Sequence, residues 1–187
     1  RSPAGRAILN CLESRLSLFE KYGNKRHEAN AYHTLGSIAL EQQDFPTAEQ
    51  WCHKALAIFE KYGNEHDAAS TYHQLGMIAE ERCDFAVAKQ WYYKSLAISD
   101  KQGNEYGAAH AHNQLGSLAV LQGHFVESGG WLVRAIVGFT RQQDARYAEV
   151  AVDNFLITYR QAPPDDQTQL RKIWEEAGLG AFPESGD

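Results

Sequence analysis

Ala69–Asn104, ASTYHQLGMIAEERCDFAVAKQWYYKSLAISDKQGN, is nearly a copy of Ala29–Asn64, ANAYHTLGSIALEQQDFPTAEQWCHKALAIFEKYGN. Twenty of the 36 positions are identical with no gap, where unrelated sequences would share roughly two. A worn third copy runs from Ala109 to Asp144 and keeps Ala109, Leu115, Gly116, Ala119, Phe125, Trp131 and Ala135. Upstream, LSLFEKYGN at Leu16–Asn24 matches LAIFEKYGN at Leu56–Asn64, so Cys11–Asn24 reads as the second half of another copy. A fixed period of this size means a stack of like units.

The bounds around the repeat are simple. The chain has 187 residues and a net charge of −6, with both signs interspersed. Its mean hydropathy is −0.50. No apolar run is long enough for a membrane helix and no secretory signal opens the chain, so no membrane partner is expected. Without a basic block, nucleic acid is not an expected partner either. Cys11, Cys52 and Cys83 are scattered, odd in number and free of any CxxC, which suits a reducing cytoplasm. The chain begins in mid-repeat without Met, which predicts a fragment of something longer.

Within one unit the apolar and small residues fall at helical spacing. Ala29, Tyr32, Leu35, Gly36 and Ala39 mark a first helix; Ala48, Trp51, Cys52, Ala55, Leu56 and Phe59 mark a second. Asp44 is placed to cap the second helix, and Pro46 is tolerated in its first turn. Asp84 repeats the cap, and His124 is a weaker one. Gly23, Gly63 and Gly103 can take the left-handed conformation that closes a helix. The pattern predicts helices near 25–42, 45–62, 65–82, 85–101, 105–122 and 125–142. Gly36, Gly76 and Gly116 sit inside first helices, where each costs about 1 kcal/mol against alanine. Close approach of the paired helix through Ala48 or Ala88 would explain them.

The register Tyr32-x-x-Leu35-Gly36-x-x-Ala39, followed by Phe45, Ala48 and Ala55, resembles the tetratricopeptide repeat. Tyr72, Leu75, Gly76 and Ala79 with Phe85 and Ala88 match as well; His112, Leu115, Gly116 and Ala119 match less well. The period of 40 exceeds the usual length, and Gly-Asn stands where a closing proline is common. The resemblance implies an all-α fold, a right-handed α-solenoid of stacked antiparallel helix pairs. The chain divides into a half-repeat at 1–24, units at 25–64 and 65–104, and a degenerate unit at 105–144. Capping helices at 145–178 and a tail at 179–187 follow. In the cap, Ala162-Pro163-Pro164 breaks one helix, and Asp165 or Asp166 is placed to cap the next, which buries Leu170, Ile173 and Trp174.

In such a superhelix the first helices line the concave face. One column there reads His33, His73, Asn113, Asp153; its neighbour reads Thr34, Gln74, Gln114, Asn154. A third reads Ser37, Met77, Ser117, Ile157. Uncharged donors and acceptors one repeat apart suit the backbone of an extended peptide, and the resemblance implies that these residues hold one. The alternative is a solvated helix face. Members of the family that bind chaperone tails grip a terminal carboxylate with lysine and arginine, and no cation occupies the matching positions here. Glu41, Glu80 and Glu81 make the rim acidic, so a protein or peptide partner that is neutral or basic is favoured.

Chemistry is not expected. No HxxxH, HExxH or CxxC occurs, and His33 and His73 lie on successive repeats, too far apart to share a zinc without a ligand such as Asp153. There is no phosphate loop and no nucleophile elbow, so neither an enzyme nor a cofactor is predicted. The expected function is a scaffold for protein–protein interaction, with a peptide segment held in the groove. Two other classes stay open: the ligand-sensing repeat array of a larger bacterial signalling ATPase, or self-association through an uncovered apolar face around Ile8, Leu12 and Leu16. Gly129-Gly130 replaces Glu49-Gln50 and Lys89-Gln90 on a face expected to be exposed, so alanine at both positions is expected to raise the melting temperature. The pair would then serve as a hinge or admit another chain, or it reflects drift in a worn copy.

Overall fold

Among the described residues the chain forms nine helices and no strand: α1 (Pro3–Tyr22), α2 (Lys25–Glu41), α3 (Phe45–Lys61), α4 (Glu65–Glu81), α5 (Phe85–Gln102), α6 (Glu105–Leu121), α7 (Phe125–Arg141), α8 (Ala145–Gln161) and α9 (Pro164–Glu176). The computed structural model describes the backbone of residues 3–183 and the side chains of 12 and 14–183. Ile8, Cys11 and the tail beyond Pro183 therefore lie outside the described side chains. Two compact units, Arg1–Ile98 and Ser99–Asp187, divide within α5.

The helix bounds follow from local chemistry at the joints. Asp44 accepts from the Thr47 amide and Asp84 from the Val87 amide, at 3.3 Å each, whereas His124 makes no side-chain cap. Gly23, Gly63 and Gly103 close their helices at φ +69°, +67° and +64°. The asparagine after each glycine opens the next helix: Asn24, Asn64 and Asn104 accept from the amides of His27, Asp67 and Gly107. Gly-Asn is thus one joint that stops one helix and starts another. The turns inside the pairs take the same left-handed step at Gln43 (φ 59°), Cys83 (φ 59°) and Gly123 (φ 75°), and the joint after α7 takes it at Gln143 (φ 58°) in place of glycine. Asp165 and Asp166 do not cap α9, which starts from Pro163. They lie in its first turn, where carboxylates still favour the positive end of the helix dipole.

In the first unit α2 packs on α1 and α3, and α4 on α3. Leu16 is buried, and Leu12 and Phe19 pack against the same core. Of the three residues expected on an uncovered N-terminal face, Leu16 is therefore covered and Leu12 partly so, with α2 packed on α1. The glycines inside first helices do meet close neighbours: a Cβ on Gly36 would sit 3.4 Å from the carbonyl oxygen of the expected Ala48, and the tightest contacts come one turn further on. A Cβ on Gly36 would lie 2.8 Å from Cys52 Sγ, and one on Gly76 would enter the Tyr92 ring. Cys52 is fully buried, and burial pushes its thiol up to about 12.

The tryptophans have a repeated job. Tyr32 stacks on Trp51 at 5.4 Å and Tyr72 on Trp91 at 5.5 Å, with Lys54 and Lys94 each 4.4 Å over the indole. In the second unit His112 stacks on Trp131 at 5.5 Å beneath Arg134. Cation, indole and first-helix ring bind one pair of helices together.

In the second unit α7 is central and packs on α6, α8 and α9. Leu170 and Trp174 of α9 are buried beside Phe155, and Phe182 covers Trp174 and Tyr159. Gly129 is buried, not exposed: a Cβ there would collide with Leu170 and sit 3.3 Å from Phe155. Gly130 faces open space. The expectation that alanine at both positions stabilises the chain is corrected at Gly129, because α9 lands on it.

Candidate functional site

First-helix side chains of the first unit meet between α2 and α4. His33 Nδ1 lies 3.1 Å from Thr71 Oγ1, and Gln74 Nε2 donates to Ser37 Oγ at 3.0 Å. Ser37 in turn donates to the His33 carbonyl at 3.2 Å. These bonds tie one repeat to the next across the expected binding columns. Beside them is a pocket of about 480 Å³ bordered by His33, Ser37, Glu41, His73, Gln74, Met77 and Glu81. Leu40 and Phe45 add apolar lining, and Ser70 adds a hydroxyl.

Seven of the expected residues thus come together at one place, with differences of detail. Gln74 is buried rather than presented to solvent, since its amide is drawn onto Ser37. Thr34 is exposed, and its hydroxyl donates back to the Asn30 carbonyl. Glu80 is not a rim residue: one position round the helix from Glu81, it is half-buried and accepts from the Tyr92 hydroxyl at 2.7 Å. Burial holds the Glu80 carboxyl above its ordinary range, against the pull of that bond. Burial also lowers the His33 pKa, opposed by Asp67, so the imidazole that meets Thr71 is held neutral more strongly than a free histidine. Glu41 and Glu81 are exposed.

In the second unit the same register behaves differently. Asn154 Nδ2 donates to Asn113 Oδ1 at 3.1 Å, Asn113 Nδ2 donates to Gln114 Oε1 at 3.4 Å, and Ser117 donates to the Asn113 carbonyl. Asp153 lies apart from that chain of amides and borders a pocket of about 440 Å³ with Ile136, Val152 and Glu149. Ile157 is exposed.

Ser70, Leu40 and Phe45 were not among the expected site residues. Ser70 stands three residues before His73 and Leu40 three after Ser37, so helical spacing from the named columns finds both. Phe45 enters because the chain reverses at Gln43. Among the described residues no group of three or more His, Cys, Asp or Glu is placed to hold a metal ion. No described helix is long and apolar enough to cross a membrane.

The family model described as tetratricopeptide repeat matches residues 27–101. Comparison with curated proteins finds no match. Among solved structures, BtubC (BKLC) from P. vanneervenii is similar over 100% of this chain and 78% of its own, with a TM-score of 0.74 at 15% identity. At that identity the likeness speaks for the fold, a helical-repeat array, and for nothing further. Periodicity, joints and family match agree: residues 27–101 belong to the tetratricopeptide repeat family.

Proposed function

We propose that the chain is a protein–protein interaction scaffold that holds a peptide segment of its partner against the first helices, with the primary site between α2 and α4. One observation carries this: His33, Ser37, Glu41, His73, Gln74, Met77 and Glu81, from two successive repeats, border a single pocket. Tetratricopeptide repeats generally serve as scaffolds for other proteins and not as catalysts. A pocket of this size, with mixed apolar and polar lining, is in the range that side chains of a bound segment fill. The exposed carboxylates of Glu41 and Glu81 favour a segment that is neutral or basic.

The test is a selection from a random-octamer display library against the chain, with the selected peptides measured by fluorescence anisotropy. His73→Ala/Met77→Ala, once shown to melt like the parent, is expected to weaken those peptides by about tenfold or more, as loss of a central contact does. Peptides held equally by both proteins would place binding elsewhere and end this proposal.

A further inference from the structure

Three observations at the α2–α4 pocket point past a peptide in general to a particular one. Glu41 and Glu81 occupy equivalent positions of successive repeats and both border the pocket. Neither takes part in an ion pair among the described residues, although Glu28, Glu49, Glu105 and Glu176 all do. Two unmatched carboxylates beside one pocket favour a cation and penalise an acid.

The second observation is the state of Gln74. It is 5% exposed and lines the pocket, and its Nε2 is spent on Ser37. Its Oε1 is buried with no hydrogen-bond partner among the described residues. A buried acceptor left unmatched costs the folded protein, and the structure answers that cost when a donor arrives. A backbone N–H is such a donor. Thirdly, Leu40, Phe45 and Met77 give the same pocket an apolar wall, with Met77 37% exposed. Methionine adapts its shape to a range of apolar side chains.

We infer that the pocket takes a two-residue element of the partner, an apolar side chain next to a lysine or arginine. The apolar group lies on Leu40, Phe45 and Met77. The cation sits with Glu41 and Glu81, and a backbone N–H of the element donates to Gln74 Oε1. This rests on the peptide-binding proposal above and adds the chemistry of the peptide.

The same octamer selection tests it, with different variants. Selected peptides are expected to be enriched in an apolar residue adjacent to Lys or Arg. Glu41→Gln/Glu81→Gln is expected to weaken them by about fivefold, the scale of two exposed ion pairs, and to flatten their salt dependence. Gln74→Met, which removes the unmatched acceptor together with the bond to Ser37, is expected to weaken them while the variant still melts cooperatively. Peptides that lack the dyad, or that ignore both carboxylate changes while still failing on His73→Ala/Met77→Ala, would overturn this inference and leave the peptide site standing. Peptides indifferent to every variant, or a selection that yields no binder, would overturn both.

Discussion

Up to Ile98, the polar residues of the first helices border an open pocket; from Ser99 on, residues of the same register are turned on one another. Ser37 and Gln74 bridge α2 and α4, yet leave an acceptor of Gln74 unmatched and two carboxylates unpaired beside them. Asn154, Asn113 and Gln114 run as a chain of amides in which Asn154 Nδ2 and Asn113 Nδ2 each find an acceptor. Register decides which residues face each other across repeats. It does not decide whether they satisfy each other, and only unsatisfied groups are poised for a ligand.

The glycines sharpen that contrast, because their neighbours also differ between the units. The largest effect is expected at Gly76. Its alanine must displace the ring of Tyr92, which is fully buried, so Gly76→Ala is expected to cost about 3 kcal/mol, the upper range for overpacking. Gly36→Ala meets Cys52 Sγ at 2.8 Å, with the Ala48 carbonyl oxygen and Gln74 Nε2 no nearer than 3.4 Å, and should cost less. Urea denaturation of the two variants checks the order, and equal costs would show that Tyr92 moves freely.

The second unit offers adjacent glycines with opposite signs. Gly129→Ala is expected to lose about 1–3 kcal/mol against Leu170 and Phe155. Gly130→Ala, with open space around it, is expected to gain about 1 kcal/mol of helix propensity. If both variants gain in thermal melts, α9 does not sit on Gly129 and the cap is wrong.

A smaller effect separates structure from binding. Asn154→Ala leaves the Asn113 carbonyl oxygen of the amide side chain without its donor and is expected to cost about 1 kcal/mol. Peptides selected on the α2–α4 pocket should bind this variant unchanged. Lost peptide binding at unaltered stability would erase the difference between the units.

What the residues alone made legible was whatever their close neighbours determine. Helix bounds could be read because Asp44, Asp84 and the Gly-Asn joints act within a few residues of themselves. The columns facing each other across α2 and α4 could be read because two nearly identical copies fix one register. Gly129 was illegible: its neighbour Leu170 lies 41 residues on, in a segment where the repeat code has decayed. Glu80 and Glu81 are adjacent in the chain, but about 100° of helix rotation puts one on Tyr92 and the other on the pocket. That difference depends on how α4 is turned against α5, which no periodicity specifies to one residue. The unmatched oxygen of Gln74 is a property of packing and has no signature in sequence.

The smallest effect is with pH, and it should also divide the units. Burial lowers the pKa of His33 in the first unit and of His110 and His112 in the second, all from 6.5. Nearby carboxylates (Asp67, Asp144 and Asp100) oppose the shifts, and Arg134 adds to that of His112. A lowered folded-state pKa means that the unfolded chain binds protons first as pH falls below 6.5. Stability is therefore full above 6.5 and is lost towards the folded-state values. Glu80 acts with the opposite sign: its raised pKa adds stability at acid pH that is lost as pH rises through the folded value. Of these three lowered imidazoles, the first unit holds His33 and the second holds His110 and His112. Amide exchange at pH 7.5 and 5.5, corrected for its intrinsic rate, should show protection falling more in α6 and α7 than in α2 and α4. Replacing His112 with asparagine should remove part of that difference. Equal losses in both units would mean that His110 and His112 stay hydrated on folding, and the contrast between the units would not survive.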